Sequence, residues 1–315
     1  MTKIVALAGG VGGARLAGGL AQALPAQDLT VVVNTGDDFN HLGLHICPDL
    51  DTVCYTLAGL ANPETGWGRS NETWNAFESI QSLGGPDWFR LGDRDLGTHL
   101  ERTRRLLLGA ALSQVTRNFC QAWKVGPTVL PMCDDPVPTT VFTEEGPLPF
   151  QEYFVHRQCQ PRVTGFAFEG IDRARPAPDV IESVREADLV VICPSNPWVS
   201  IDPILGVHGI REAVALSCCL AVSPIIGGKA VKGPAAKMYA EMGIQPSALA
   251  VAHHYGPKAT GGLLTGFVFD EVDAGQASTF QEEGFQIMFT NTIMKTTSDQ
   301  LRLAEQVLAF GKTLH

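Results

Sequence analysis

The stretch KIVALAGGVGGARLAGGL, residues 3–20, decides the fold. Its first part, Lys3 to Ala8, is a short apolar run typical of a buried strand, and glycines follow at once. Apolar residues then recur from Ala14 to Leu24 at helical spacing, and a second apolar strand is predicted from Leu29 to Val33. Because crossovers between parallel strands are right-handed, we expect the glycines at the carboxyl edge of a parallel sheet, where ligands of doubly wound folds bind.

A second set of strand, loop and helix is predicted downstream. It comprises a strand from Asp188 to Cys193, the loop Pro194 to Pro197 and a helix near His208 to Leu216. We therefore expect an α/β fold with a Rossmann-like, doubly wound parallel sheet. Residues 1–51 and 171–315 are predicted to form this nucleotide-binding core, and residues 52–170 are predicted to form an inserted, mainly helical α/β subdomain.

The composition excludes several classes of protein. The 315 residues include 23 Lys and Arg against 33 Asp and Glu, a net charge of −10. The chain as a whole therefore lacks the excess of positive charge that binds nucleic acid or an anionic membrane. No apolar stretch reaches the roughly 18 residues of a spanning helix, and the first apolar run is too short for a signal peptide. We expect a cytoplasmic protein whose partners are small molecules.

The cysteines and histidines do not suggest a metal site. The eight cysteines form no C-x-x-C pair, and several lie in apolar runs, which is typical of reduced thiols in a core. His41 and His45 have the spacing of a helical metal pair, but Gly43 between them favours a loop. We expect no zinc site and no disulfides.

The glycine cluster suits phosphate binding. At a strand-to-helix turn, the N–H groups of Gly10, Gly12 and Gly13 and the helix dipole can hold a phosphate; a glycine-rich turn without a ligand is the alternative. A side chain at Gly12 is expected to block the phosphate without disturbing the sheet. The G-x-G-x-x-G pattern fails, because Arg15 takes its third small position, and the second strand ends in NTGDD from Asn34 and not in a lone acid. A nicotinamide site is therefore disfavoured.

Asp49 and Asp51 are candidate ligands for Mg²⁺. Residues two apart in an extended segment point the same way, and Mg²⁺ takes oxygen ligands together with diphosphate. Asp51 can equally be the N-cap of a helix whose apolar face carries Val53 and Leu57. Other acidic pairs in Gly- or Pro-bearing loops also favour a metal and phosphate site: Asp37 with Asp38, Asp93 with Asp95, and Asp134 with Asp135.

Few cations and aromatic residues lie in the loops near these acids. The cations are Arg15, Arg90, Arg94, Lys229 and Lys232. Each can bind a phosphate or carboxylate, or form a surface ion pair. Trp67, between two glycines, can stack on a planar heterocycle or pack over the insertion.

Taken together, these motifs resemble the 2-phospho-L-lactate transferases of coenzyme F-420 biosynthesis. The resemblance rests on eight blocks in order, which cover over two thirds of the chain. The blocks are GGVGGARL (9–16), NTGDD (34–38), ICPDLDTV (46–53), GWG (66–68), LGDRD (91–95), DDPVPT (134–139), PSNPWVSIDPIL (194–205) and SPIIGGK (223–229).

The resemblance implies a specific reaction. In this family the terminal ribityl hydroxyl of the deazaflavin Fo attacks the diphosphate of a guanosine diphospho donor that carries a three-carbon acid, such as lactyl or enolpyruvyl. GMP leaves and a phosphodiester, an F-420 precursor, forms. The resemblance also implies Mg²⁺ as cofactor, a homodimer, and an insertion at 52–170 that covers the acceptor site. The sequence does not indicate which three-carbon acid the donor carries.

The resemblance also assigns roles to residues. It places Asp51 and Arg90 against Fo, with Trp67 as a further Fo contact, and Asp49 with Asp51 at Mg²⁺. The hydroxyl proton would go to a carboxylate among Asp38, Asp49 and Asp51. The nucleotide and its phosphates would be held by Gly10, Gly12, Gly13, Arg15, Asn34, Ser195, Asn196, Pro197 and Lys229.

Other classes of protein share parts of this pattern. An NAD-dependent oxidoreductase has the same fold opening but needs the missing dinucleotide fingerprint. A divalent-ion-dependent nucleotide-sugar transferase could use Asp49 and Asp51 to hold a diphosphate, with a sugar acceptor in place of Fo. A non-catalytic flavin-binding protein would have no use for carboxylates clustered around a phosphate loop.

Overall fold

The computed structural model describes residues 3–314 and contains a seven-stranded central sheet with two small sheets and a three-stranded one beside it. The described strands are β1 (Ile4–Ala8), β2 (Leu29–Val33), β3 (Phe39–His41), β4 (Leu44–Ile46), β5 (Thr128–Pro131), β6 (Thr139–Thr143), β7 (Gly146–Pro149), β8 (Val163–Phe168), β9 (Leu189–Ile192), β10 (Cys219–Val222), β11 (Ile225–Ile226), β12 (Lys229–Ala230), β13 (Gly266–Asp270) and β14 (Gln286–Thr290).

Helices cover both faces of the central sheet. They are α1 (Gly10–Ala23), α2 (Pro48–Leu57), α3 (Asn75–Ser82), α4 (Asp93–Leu107), α5 (Leu112–Ala122), α6 (Val180–Glu186), α7 (Asp202–Gly206), α8 (Ile210–Leu216), α9 (Ala235–Glu241), α10 (Ala248–Tyr255), α11 (Ala277–Glu282) and α12 (Thr297–Gly311). Short helical turns lie at Ala26–Asp28, Glu152–His156, Pro197–Ile201, Lys258–Thr260 and Glu271–Gln276.

The strand order confirms the predicted doubly wound fold. The central sheet runs β14-β13-β10-β9-β1-β2-β5, and every neighbouring pair is parallel. From β1 the chain proceeds outward through β2 to β5, and from β9 it proceeds to β14 in the opposite direction. The crevice between the carboxyl ends of β1 and β9 is therefore the topological switch point, where ligands of such sheets bind.

Burial of both faces explains why the strands are continuously apolar. All five residues of β1 and all four of β9 are buried, as expected for a parallel sheet with a helical layer on each side. Helices α1 and α12 pack together on one face. Their approach depends on Gly19, because a Cβ built there would overlap the carbonyl group of Gln300.

The predicted insertion needs one correction. Strand β5 lies within residues 52–170 but pairs with β2, with Val31 opposite Val129, so it belongs to the central sheet. A four-residue strand that ends in a proline can sit here because it forms the edge of the sheet. The rest of the segment contains α3 to α5 and the antiparallel sheet β7-β6-β8. The domain boundaries after residues 51 and 170 stay a prediction.

Between residues 3 and 314, none of the helices combines the length and the apolar character that crossing a membrane requires. All eight cysteines have free thiols, and six of them are buried.

Candidate active site

The switch point is built from the first turn of α1 and the loop after β9. Helix α1 starts at Gly10, four residues earlier than predicted, so the glycines form its first turn and not a loop before it. The N–H groups of a first helical turn have no partner within the helix and can bind an anion. The Ser195 hydroxyl accepts a hydrogen bond from Gly9 N (3.0 Å) and donates to Gly9 O (2.8 Å). Ser195 therefore braces this turn, and its proton is not free for a nucleotide.

Asn196 and Pro197 also have structural contacts in this loop. The Asn196 side chain accepts a hydrogen bond from Trp198 N (3.1 Å), and its amide nitrogen lies 3.2 Å from Met238 Sδ. Pro197 is buried at the start of the turn Pro197–Ile201. Their assignment to the nucleotide stays a prediction, and the contacts with this chain show that they shape the loop.

A small pocket of about 60 Å³ opens beside the first turn of α1. Gly12, Arg15 and Lys232 line it together with Thr292. Burial and the nearby charge of Arg15 both lower the pKa of Lys232. Two cations facing one pocket favour an anionic ligand such as a phosphate. The predicted cation Lys229 is exposed at the start of β12 and does not line this pocket, so Lys232 is the better candidate.

A larger cavity of about 590 Å³ lies at the carboxyl ends of β2 and β5. Its volume is within the range of small-molecule sites. One part of its wall is aromatic and includes Phe39, Trp88 and Phe150, whereas another part is acidic and includes Asp37 and Asp38. A planar ligand with a polar tail would match this division of the wall.

Asp49 lies beside the first turn of α1 and takes up the Gly10 N–H that the sequence assigns to a phosphate. Its Oδ1 accepts a hydrogen bond from Gly10 N (2.6 Å), and its Oδ2 accepts one from the Asn34 amide (2.9 Å). The same amide lies 3.4 Å from Asp37 Oδ1 on the cavity wall. Asn34 is fully buried and also bonds Val199 O, so it holds the two carboxylates in place and does not face a nucleotide.

Burial raises the pKa values of Asp37, Asp38 and Asp49, so these carboxylic acids are weaker than exposed ones. Burial raises the pKa of Asp49 to about 6, although the hydrogen bonds from Asn34 and Gly10 oppose the change. Burial and the neighbouring charges of Asp49 and Asp38 raise the pKa of Asp37 well above its usual range. Burial also raises the pKa of Asp38, against the effect of His45. Such clusters of perturbed carboxylates are typical of functional sites.

The predicted roles of Asp51 need correction. Helix α2 begins at Pro48 with Cys47 as its N-cap, so Asp51 is not the cap and the Asp49 to Asp51 segment is helical, not extended. Residues two apart on a helix point to different sides, so the two carboxylates do not form the expected pair. Both Asp51 oxygens bind the guanidinium of Arg102, with Nη1 to Oδ2 at 3.0 Å and Nη2 to Oδ1.

The Arg102 pair belongs to a buried network between α2 and α4. Arg102 and His99 are almost completely buried, and His99 Nδ1 lies 3.2 Å from Arg102 Nη1. On its other side, His99 Nε2 lies 3.4 Å from Asp95 Oδ1, which accepts a hydrogen bond from the Tyr55 hydroxyl (2.7 Å). The charge of Asp51 raises the pKa of Arg102, although burial alone would lower it. The network fixes α2, which carries Asp49.

The two predicted Fo contacts outside the acidic cluster lie away from the cavity wall. Arg90 is exposed, and its guanidinium packs 4.4 Å from the centre of the Trp74 ring. Trp67 is about half-exposed, 52 %, in a loop that approaches α1, since a Cβ on Gly66 would contact Val11. Both assignments stay predictions.

Several residues of this site were missed as functional candidates. The signal for His99 and Arg102 was present, because Asp95, His99 and Arg102 recur at i, i+4 and i+7 and must share one face of a helix. The role of Trp88 had no such signal. It depends on how the insertion packs over the carboxyl end of the sheet, a long-range contact that no local pattern encodes.

Substitution of Gly12 is expected to affect folding as well as ligand binding. A Cβ built on Gly12 would overlap the carbonyl oxygen of Pro194, so the two switch-point loops must separate. The overlap lies in the loop after β9 and not in the sheet, so a side chain at Gly12 is expected to lower stability while the prediction of an intact sheet stays untested. We expect Gly12→Ala to lower the free energy of unfolding by about 1–3 kcal/mol and to weaken donor binding. Urea denaturation and calorimetry with a guanosine diphosphate analogue measure the two effects.

Gly97→Ala is the matched control for this prediction. Gly97 lies in α4 with open space where a Cβ would be, and Ala favours a helix over Gly by about 0.5–1 kcal/mol. The control is expected to be as stable as the wild-type chain or more so. Equal stability of Gly12→Ala and Gly97→Ala would contradict the close contact at Pro194.

Comparison with known proteins finds one matching family model and several curated relatives. The family model described as 2-phospho-L-lactate transferase CofD matches residues 4–297. Curated relatives named phosphoenolpyruvate transferase include one from Streptomyces griseus, 44 % identical over 98 % of both chains. Another, from Thermobifida fusca, is 47 % identical over 86 % of this chain and 87 % of its own. A third, from Mycobacterium sp. strain KMS, is 40 % identical over 95 % and 97 %.

Solved structures support the fold. Two crystal structures of a Bacillus halodurans protein, described in one title as a member of the upf0052 family, superpose with TM-scores of 0.62 and 0.63. Both are 15 % identical to this chain and cover 98 % of it and 99 % of their own chain. At this identity the likeness concerns the fold alone.

Proposed function

Because the chain belongs to the 2-phospho-L-lactate transferase family, we propose that it transfers a phosphate-linked three-carbon acid from a guanosine diphospho donor to the ribityl hydroxyl of the deazaflavin Fo. A bond forms between the hydroxyl oxygen and the phosphorus that bears the acid, the bond from that phosphorus to GMP breaks, and GMP leaves. The product is a phosphodiester. Because relatives are named phosphoenolpyruvate transferase, we propose enolpyruvyl as the three-carbon acid.

One set of contacts carries the proposal: Asp49 accepts a hydrogen bond from the first turn of α1, beside the cationic pocket, and its partner Asn34 lies against Asp37 on the wall of the aromatic cavity. The pocket at Arg15 and Lys232 would hold the diphosphate of the donor beside the first turn of α1. The cavity would hold the tricyclic ring of Fo against Trp88 and its neighbours. The two substrates would then meet at Asp49, and the main contribution of the protein would be to orient them.

The residues at Asp49 fit the Mg²⁺ that the resemblance implies. Asp37 and Asp49 present oxygen atoms, the donors Mg²⁺ prefers, and both lie against the Asn34 amide. Their raised pKa values indicate that a cation would relieve the cost of two buried charges. Asp51 does not fit, because Arg102 already neutralises it. When bound, Mg²⁺ would offset the charge that develops on the phosphates.

The hydroxyl proton needs an acceptor among the three carboxylates considered. Asp51 is occupied by Arg102, and Asp49 is assigned to the metal. Asp38 remains. It lines the cavity, and burial raises its pKa, which makes it a stronger base than an exposed aspartate. We therefore assign proton transfer to Asp38.

The transfer reaction is tested by incubating the protein with Fo, Mg²⁺ and one donor at a time, with mass spectrometry of the products. With guanosine diphospho enolpyruvate, we expect GMP and the enolpyruvyl phosphodiester of Fo in equal amounts. Product from the lactyl donor alone would correct the acid but keep the reaction. Consumption of a guanosine diphospho sugar with no reaction of Fo would favour the nucleotide-sugar transferase, and no GMP from any donor would overturn the proposal.

Metal binding is expected to depend on pH. The folded-state pKa of Asp49 is raised from 3.8 to about 6, so the folded chain binds the proton more tightly than the unfolded chain. The contribution of Asp49 to stability is therefore present at low pH and is lost as the pH rises to about 6, by roughly 3 kcal/mol. Above pH 6 the ionised carboxylate can bind Mg²⁺, so Mg²⁺ should raise the Tm more at pH 7.5 than at pH 5.

Thermal denaturation with and without Mg²⁺ at both values of pH measures this effect. In Asp49→Asn, the Mg²⁺-dependent shift at pH 7.5 should be much smaller. A shift of equal size at both pH values in the wild-type chain would contradict the assignment of Asp49 to the metal. The homodimer also stays a prediction, which the mass of the protein in solution would test.

A further inference from the structure

The hairpin of β3 and β4 brings three different metal-binding side chains to one end. Its register pairs Phe39 with Ile46 and Asn40 with His45. Extended by one pair, this register puts Asp38 opposite Cys47. His45 and Cys47 are two residues apart, and alternate residues of a strand point to the same face. The hairpin therefore gathers a carboxylate, an imidazole and a thiol that are not recognisable as a metal motif in the sequence.

The distances among these side chains suit one ion. A carboxylate oxygen of Asp38, a ring nitrogen of His45 and Cys47 Sγ all lie within 4.8 Å of one another. His45 Nε2 is 3.5 Å from Asp38 Oδ2. Two ligands that are each about 2.1 Å from a tetrahedral ion lie about 3.4 Å apart. The Asp38 and His45 atoms are thus already separated by the edge of such a tetrahedron.

An unpartnered atom provides a second and independent observation. The Asp38 side chain is nine-tenths buried, with 10 % of its surface exposed. Its Oδ1 is inaccessible to solvent and has no hydrogen-bond partner among residues 3–314. A buried polar atom without a partner destabilises the fold, and more so when it is charged. A cation at this position would satisfy it.

We propose that Asp38, His45 and Cys47 form a binding site for a divalent ion of the Zn²⁺ class. This site offers oxygen, nitrogen and sulfur donors, whereas the Mg²⁺ site assigned to Asp37 and Asp49 offers only oxygen donors. The thiolate and imidazole ligands favour a softer ion, so the two sites would bind different metals. Burial raises the pKa of the Cys47 thiol, so the ion itself has to displace the thiol proton, and the dipole of α2 at this N-cap position offsets part of that cost. On binding, the thiol proton passes to solvent and a metal–sulfur bond forms.

The site has three protein ligands and an open side. Asp38 and His45 both line the large cavity, whereas Cys47 is fully buried behind them. A fourth ligand could therefore reach the ion from the cavity, as in sites that keep one position for water or another small ligand. Because Asp38 is also assigned to proton transfer, an ion held here would compete with turnover. The test therefore measures binding and not activity.

Co²⁺ is the probe, because a thiolate bound to Co²⁺ produces a charge-transfer absorption band in the near ultraviolet. Co²⁺ bound by oxygen ligands alone has no such band. Full-length protein freed of metal by a chelator is titrated with Co²⁺. We expect one equivalent of Co²⁺ to produce a thiolate charge-transfer band in the near ultraviolet and Zn²⁺ to remove it. Cys47→Ser should abolish the band. Cys193→Ser, at a buried thiol outside the cluster, is the control and should keep it.

Every outcome decides the proposal. A band that persists in Cys47→Ser places the ion elsewhere, and a folded wild-type chain without a band shows that Asp38 and His45 form an ion pair only. If Cys47→Ser does not fold, His45→Asn decides, because the His45 side chain is partly exposed at 26 % and its loss is better tolerated. Loss of the band in His45→Asn supports the site, and a band of unchanged strength overturns it.

Discussion

Asp49→Asn is expected to reduce turnover by roughly 100- to 1000-fold, which corresponds to a loss of about 3–4 kcal/mol of transition-state stabilisation. The asparagine keeps an oxygen that can accept the Gly10 N–H, but it cannot supply the charge that holds Mg²⁺. Stability at pH 7.5 should change little, because the gain from removing a buried ionised carboxylate is offset by the loss of the hydrogen bond that Asp49 Oδ2 accepts from the Asn34 amide. Steady-state kinetics at saturating substrates measure the loss.

Asp135→Asn is the matched control for Asp49→Asn. Asp135 lines the large cavity and is exposed, whereas Asp49 is buried. Asp135→Asn is expected to retain most of the activity. Similar turnover of the two variants would remove Asp49 from the centre of the reaction, and a large loss of stability in Asp49→Asn would show that its role is structural.

Arg102→Met is expected to destabilise the fold by about 3–5 kcal/mol, because it leaves the buried carboxylate of Asp51 without a partner. Urea denaturation measures this loss. In the double variant Asp51→Leu with Arg102→Met, most of the loss should be recovered, since no unpaired charge remains. Arg104→Met is the control, because Arg104 forms an exposed ion pair with Glu101 and such pairs contribute little to stability.

The same network changes the expectation for Asp51. From the sequence, Asp51→Asn should lower turnover far more than stability, because Asn could still cap the helix. In the structure Asp51 is no cap, and its charge balances that of buried Arg102. Asp51→Asn should therefore lower stability, and its effect on turnover should come through the position of α2. Equal stability of Arg102→Met and Arg104→Met would contradict this view of the network.

The sheet was predictable because its signals are local. The apolar runs of β1, β2 and β9 need two covered faces, and the glycines after β1 need a close approach of backbone, so the doubly wound parallel sheet and its ligand-binding edge follow from the sequence, whereas the strand order does not. The start of α2 was also encoded, since Pro48 suits the first helical position. It was misplaced because Asp51 is an equally good cap in isolation.

The site was less predictable because it depends on contacts across the chain. Asp49 and Asp51 are neighbours in sequence, yet the partner of one is Gly10, 39 residues earlier, and the partner of the other is Arg102, 51 residues later. Spacing alone cannot distinguish a carboxylate that faces a ligand from one that is neutralised within the core. Strand β5 was misassigned for a similar reason, because only its pairing with β2 distinguishes it from the short strands that follow.

The most direct test of the account is the affinity of Fo, measured by fluorescence titration in Trp88→Ala and in Lys232→Ala. Trp88 lines the large cavity and Lys232 lines the small pocket, so the account predicts weaker Fo binding in Trp88→Ala and unchanged Fo binding in Lys232→Ala. Loss of a stacking partner should weaken Fo by roughly 1 kcal/mol, about 5- to 10-fold. Unchanged affinity in Trp88→Ala with a loss in Lys232→Ala would contradict the proposed placement of the two substrates on either side of Asp49.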